Sequence, residues 1–265
     1  MISEIQKQKI SICVPTLHRK KLLTKFIKSC VDNCNMKIDF IVVNQNDNKI
    51  AVDKDIESII VDSGNSFIDH YIPERSVGKA RSVAFDIALD VGNEFVFAAD
   101  DDCKIGKLSI EKIMAPIYQD DRFWKIGALG GYRAFIRDFK ENELRFHLNI
   151  GVFWLTKLSV IKKIGNINST LSAREDIEFD ARIWEEGGWT GIVDSKLTHT
   201  RNQPLESGER TIPKNYDEEW NTISDEIANN YPNIFKNRGG RLYRQFKFPT
   251  NEFWLSENLK LNEKA

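Results

Sequence analysis

The chain has no dominant charge sign, no long apolar run and no cysteine pair, and each absence removes a class of protein. Its 265 residues hold 38 lysines and arginines against 39 aspartates and glutamates, a formal net charge of −1. That balance excludes a generally basic nucleic-acid coat, so any polyanion would have to be held by a local patch. No apolar stretch approaches the roughly 20 residues of a membrane span, and the opening residues MISEIQKQKISICVP lack the apolar centre of a secretion signal. Cys13, Cys30, Cys34 and Cys103 form neither a C-x-x-C pair nor a zinc spacing, which predicts free thiols in a reducing cytoplasm. There is no internal repeat, and glycine and proline mark turns without building a linker. What is present, 41% hydrophobic and 29% charged residues, can bury and solubilise a sizeable core in one large domain or two small ones.

Hydrophobic patterning predicts alternating strands and helices. Residues 10–14 (ISICV) read as a buried strand stopped by Pro15, and 20–34 as a helix with Leu22, Leu23, Phe26, Ile27 and Cys30 on one side. Residues 38–43 read as a second strand, 58–61 (SIIV) as a third, 78–91 as a helix, and 94–99 (EFVFAA) as a fourth strand. Such an order implies an α/β fold, a mostly parallel sheet flanked by helices, with ligands beyond the carboxyl ends of the strands. Strand-like, glycine-containing residues at 126–155 predict hairpins over that edge. Helices follow at 157–164 and 173–186, a strand at 190–194, and a helix at 216–230 leading into a basic segment.

The fourth predicted strand runs directly into Asp100, Asp101 and Asp102. In an extended chain Asp100 and Asp102 project to one side, which makes a hard-oxygen site for Mg²⁺ or Mn²⁺; the plainer alternative is a solvated turn. Upstream, Gly78-Lys79-Ala80-Arg81 opens a helix, a place favourable to anions, although ordinary exposed basic residues would read the same way. In SAREDIEFDARIWEEGG (172–188), Ser172 and Glu175 fit a capping box, and Glu178 and Arg182 fit an i,i+4 ion pair. Asp176 and Asp180 put like charges on one face, and a carboxylate near a helix start suits general-base work at Asp176. His199 follows the 190–194 strand and is either a third metal ligand or a surface histidine.

Together the ICVPT strand end, the GKAR helix start, FVFAADDD with its D-x-D, the REDIEFD helix and the late histidine resemble a metal-dependent glycosyltransferase of the GT-A fold. The resemblance spans residues 10–200 and implies a GT-A catalytic domain over 1–203, with its nucleotide-sugar half at 1–103 and its acceptor half at 104–203. A helical and basic extension, 204–265, would belong to the same domain. It implies that Thr16, Arg19, Asp47, Lys79, Arg81, Asp100 and Asp101 serve the nucleotide-sugar donor, with UDP the expected nucleotide. Asp100, Asp102 and His199 would hold Mn²⁺ or Mg²⁺, and Asp176, or Glu175 beside it, would be the catalytic base. The family's acidic pair after the second strand is replaced here by VVNQND, where Asp47 is the candidate.

The second half, through GVFWLTKLSVIKKIG, LTHTR and NNYPNIF, is similar to the TET-associated glycosyltransferases of phage DNA base-hypermodification systems. That likeness implies transfer to a hydroxymethylated base in DNA, in a host's cytoplasm if phage-encoded; a candidate base with no nucleophile for a double displacement points to inversion at the sugar. In the tail, Lys236, Arg238, Arg241, Arg244 and Lys247 stand among Tyr243, Phe246 and Phe248 with no acidic residue between 236 and 247. This composition suits phosphate contacts and base stacking, and equally an edge strand with solvated charges. Arg241, Arg244 and Lys247, with Trp154 as a stacking ring, are the candidate acceptor contacts. Alternatives are a family-2-like transferase acting on a glycan, protein or small molecule, a nucleotidyltransferase, and a non-catalytic nucleic-acid-binding protein. Against the nucleotidyltransferase, PTLHRKK after the first strand holds no glycine for a phosphate loop.

Overall fold

The computed structural model describes residues 2–46, 54–129, 139, 143–148, 150–200, 216–238, 241–245, 247 and 253–254. Helix α1 (Ile2–Ile5) precedes β1 (Lys9–Thr16), α2 (Lys20–Asn33), β2 (Lys37–Asn44), α3 (Lys54–Asp62), β3 (Ser66–Tyr71), α4 (Val77–Val91) and β4 (Phe95–Ala99). Next come β5 (Cys103–Lys104), α5 (Ser109–Gln119), β6 (Phe123–Ala128), β7 (Glu143–Phe146), β8 (Phe153–Lys157), α6 (Leu158–Ile164), α7 (Glu175–Glu185) and β9 (Trp189–Val193). After these lie β10 (Thr198–His199), α8 (Tyr216–Asn230), β11 (Phe235–Arg238), β12 (Arg241–Arg244) and β13 (Phe253–Trp254). No helix among the described residues is long and apolar enough to cross a membrane.

Nine strands form one sheet in the order β13-β7-β9-β6-β8-β4-β1-β2-β3. β1, β2, β3 and β4 are mutually parallel, β6 is parallel to β9, and only β8 and β7 reverse direction. The central strands are apolar on both faces because helices cover both. The alternation of β1 shows how: Ile10, Ile12 and Val14 join Phe26 and Ile27 of α2 and Ile113 of α5 on one side. Cys13 joins Ala80, Ala84 and Phe85 of α4 and Phe179 of α7 on the other. The buried Cys13, Cys30 and Cys103 are free, and burial raises their thiol pKa, which leaves them inert.

The third predicted strand is a correction. Residues 58–61 lie inside α3, whose buried Ile56 and Ile60 are one helical turn apart, and the strand is β3, after the left-handed Gly64 (φ 74°). A four-residue apolar run has no period long enough to separate the two readings. The described strands within 126–155 also differ from expectation: β6 and β8 sit inside the sheet, with Ile126 opposite Leu155, and do not fold over its edge. Helix α5 has no counterpart in the sequence reading, because Pro116 stands inside it and proline reads as a helix breaker. Residues Ile223, Ile227, Ile234 and Phe235 pack with Leu148, Ile177 and Ala181, so α8 and β11 rest on α7.

Candidate functional site

The carboxyl ends of β1, β2 and β4 open into a cleft of 330 Å³ lined by Thr16, Arg19, Gln45, Asp100, Asp101 and, from α8, Trp220. This edge is where a parallel sheet offers side chains to a ligand. The aspartates are not extended as the alternation argument supposes. They form a turn, with Cys103 N donating to Asp100 O at 3.2 Å and Asp100 N donating to Val152 O at 3.0 Å. The short ribbon of β10 on β5 sets His199 opposite Cys103, and Thr200 N donates to Asp102 O at 3.1 Å. The ribbon thus carries a residue from a distant part of the sequence to the end of β4.

Asp100, Asp102 and His199 each offer a ligand atom within 4.8 Å of the others. His199 Nε2 lies 2.9 Å from Asp102 Oδ1 and 3.9 Å from Asp100 Oδ2. Asp102 Oδ1 is nevertheless buried without a hydrogen bond, as is His199 Nδ1. Three such ligand atoms converging on one point fit a shared cation. Two carboxylates and an imidazole suit Mn²⁺, and with water Mg²⁺.

Asp101 has a different task. Thr16 Oγ1 donates to its Oδ2 at 2.8 Å and Arg19 Nη1 to its Oδ1 at 3.1 Å, so Asp101 ties the turn to the end of β1. Burial pushes its carboxyl up to about 7, against the pull of Arg19 and the Thr16 hydroxyl. An acid raised on folding contributes stability that is full below its ordinary 3.8 and lost as pH rises through 7. The chain is therefore expected to melt at a lower temperature at about pH 8 than at about pH 6. A calorimetric pH series is expected to show that decline in the wild type and a flatter line in Asp101→Asn.

Arg81 of α4 is buried, and its guanidinium joins the end of β4 to the start of α7. One nitrogen donates to Glu175 Oε1; the other donates to Asp100 Oδ1 at 2.6 Å and to Gly151 O at 2.8 Å. Enclosed this way, Arg81 positions carboxylates, whereas the sequence reading has it meet a diphosphate. Glu175 is not a capping residue either. The N-cap of α7 is Arg174, with no side-chain cap, and Ser172 Oγ instead donates to Glu219. Burial raises the Glu175 carboxyl to about 6 although Arg81 opposes the shift. No described residue donates to the neighbouring Asp176 carboxylate. Asp180, which the sequence leaves as an unexplained like charge, pairs with the fully buried Lys125 at 2.7 Å, and Lys125 also donates to Asp176 O at 3.2 Å. This pair fixes the first turn of α7 against β6.

Other sequence candidates fall as follows. Lys79 is half-buried, and its backbone N–H donates to Ser76 Oγ, the N-cap of α4. Gly78 is required for contact: a Cβ there would stand 2.2 Å from Leu171 O, where α4 meets the loop before α7. Asp47 lies outside the described residues. In its vicinity amides do the joining, with His18 N donating to Asn46 Oδ1 at 2.7 Å and Gln45 Nε2 to Glu74 O at 2.7 Å. Trp154 is fully buried between Phe85 and Phe179, so it offers no stacking face. Arg241, Arg244 and Lys247 are exposed. The sequence reading overlooks Arg75, Arg174 and Trp220, which line clefts; a lone tryptophan in the polar α8 was the available signal.

No family model and no curated protein sequence matches the chain. Among solved structures, S. aureus TarS 1–349 in complex with UDP is 18% identical with a TM-score of 0.60, over 83% of this chain and 66% of that one. Against the longer TarS chain, the match spans 40% of its length. GalNAc-T7 with UDP, GalNAc and Mn²⁺ is 14% identical with a TM-score of 0.63, over 86% and 51% of the two chains. The mannosyltransferase PcManGT from Pyrobaculum calidifontis, in complex with GDP-Man and Mn²⁺, is 13% identical with a TM-score of 0.54, over 84% and 62%. These neighbours are glycosyltransferases of the GT-A type, and the fold of this chain is theirs.

Proposed function

We propose that the chain is a metal-dependent glycosyltransferase that moves a sugar from a nucleotide-sugar, with UDP as the nucleotide, to an acceptor hydroxyl. The observation that carries the reading is the convergence of Asp100, Asp102 and His199 beside a cleft at the carboxyl ends of parallel strands. Asp100, Asp102 and His199 would hold Mn²⁺ or Mg²⁺, which supplies Lewis-acid neutralisation of a departing diphosphate. Two of the structures described above carry UDP and two carry Mn²⁺.

The chain's own residues divide the rest. Thr16 and Arg19 hold Asp101, and with it the turn that aims the two metal-binding carboxylates. Arg81 fixes the distance between Asp100 and the start of α7. Asp176 accepts the proton of the acceptor hydroxyl, leaving Glu175 as its buried, ion-paired support. A single base, with no second nucleophile in place among the described residues, favours one displacement and inversion of the anomeric centre. The acceptor we propose is a hydroxymethylated base in DNA, supported by the similarity of the second half to DNA-hypermodification enzymes and by the basic β11–β12 hairpin.

The test offers UDP- and GDP-sugars with Mn²⁺ to matched oligonucleotides that carry or lack a hydroxymethylated base, and reads product mass. One sugar added only to the hydroxymethylated strand is expected. Transfer to a glycan or protein hydroxyl in its place would contradict the DNA acceptor, and NMR of the product anomer decides inversion.

A further inference from the structure

A second cleft, of 710 Å³, opens between the first turn of α7, helix α8 and the β11–β12 hairpin. We propose that it is the acceptor subsite and that it takes one unstacked nucleotide of a nucleic-acid strand, not a base paired in a duplex. The proposal rests on the glycosyltransferase reading above, because a transferase needs a second subsite beside its donor cleft.

Placement is the first argument. Trp220 lines both clefts, and Arg174 stacks over its ring with 3.9 Å between the guanidinium carbon and the ring centroid. This stack is therefore the partition between them. Arg174 is held in the left-handed region (φ 58°), a conformation unfavourable for a residue with a side chain. It directly precedes Glu175 and Asp176, so the partition and the candidate base belong to the same start of α7.

Chemistry is the second. The floor is apolar, made by Leu148, Ile177 and Phe235. The rim carries Arg241, Arg244 and Tyr243, and Tyr243 is 47% exposed. Lys236 and Arg238 add charge on the adjoining strand, and no acidic residue occurs between 236 and 247. The hairpin is anchored, with Asn237 Nδ2 donating to Asp225 Oδ1 at 2.6 Å and Gln245 Nε2 to Pro232 O at 2.7 Å. Fixed cations around an aromatic face bind phosphate and a ring together. A base inside a duplex has both faces covered by its neighbours and cannot offer one to Tyr243 or Trp220.

The experiment is fluorescence anisotropy of the full chain with a labelled oligothymidylate, its matched duplex as a second ligand, and inorganic polyphosphate as competitor. Single-strand binding is expected with a log–log salt slope of roughly −2, as three phosphate contacts would give. Tyr243→Ala should weaken it about tenfold, and Arg241→Glu should lower both affinity and salt slope. Equal or tighter duplex binding, equal displacement by polyphosphate per phosphate, or full affinity in Tyr243→Ala would overturn the proposal. UDP titration with Mn²⁺ is read separately: its failure in the wild type defeats the donor reading, while the oligonucleotide arms alone decide the second cleft.

Discussion

Asp102→Asn is expected to lower turnover roughly a thousandfold, the equivalent of about 4 kcal/mol of transition-state stabilisation, without unfolding the chain. The backbone role of Asp102, accepting from Thr200 N, survives the substitution, and its Oδ1 receives no hydrogen bond that would be lost. The change also removes a negative charge facing Asp100, which already raises that group's pKa after burial itself. The same change weakens the pairs of Asp102 with His199 (2.9 Å) and Arg19 (3.7 Å), so the metal-free variant should melt close to the wild type, and added Mn²⁺ should no longer raise its melting temperature. A large loss of stability with no loss of the Mn²⁺ effect would assign Asp102 to the fold instead. Kinetics and calorimetry on one preparation separate the two outcomes.

Asp176→Asn is expected to lower kcat between about a hundredfold and about ten-thousandfold, the usual contribution of a positioned base. Its KM for the donor should hardly move, because Asp176 stands outside the residues lining the donor cleft. Glu175→Gln makes the contrast. It breaks a buried pair with Arg81 and should destabilise the chain by roughly 3 kcal/mol or more. Loss of rate without loss of stability marks the base; loss of both marks the support. If Glu175→Gln is stable and inactive while Asp176→Asn is active, the two roles are exchanged.

Much of the fold was legible because the central strands are buried on both faces and therefore apolar throughout, as ISICV, IDFIVV and FVFAA are. Failure came where length or composition removes that signal. The SIIV run is too short to show its period, and Pro116 conceals α5. At the site, Asp100 and Asp102 stood out because consecutive carboxylates at a strand end repel one another. The partners that decide their roles lie far away in sequence: Thr16 for Asp101, Glu175 for Arg81, Lys125 for Asp180. Trp154 shows the converse error. An aromatic in GVFWL reads as a ring near the site, yet its alternation sends it into the core against Phe85 and Phe179. The ring that does reach the cleft, Trp220, comes from a polar helix whose docking on α7 depends on tertiary packing alone.

The central claim is that Asp100, Asp102 and His199 hold a cation that enables sugar transfer from a nucleotide donor. The most direct measurement is nucleoside diphosphate release from UDP-sugars and GDP-sugars by the purified chain, in Mn²⁺ and again in EDTA. Release in Mn²⁺, its disappearance in EDTA and its recovery on re-adding the metal are the predicted result. Full release in EDTA, or none from any donor in Mn²⁺ with the hydroxymethylated acceptor present, would contradict the account.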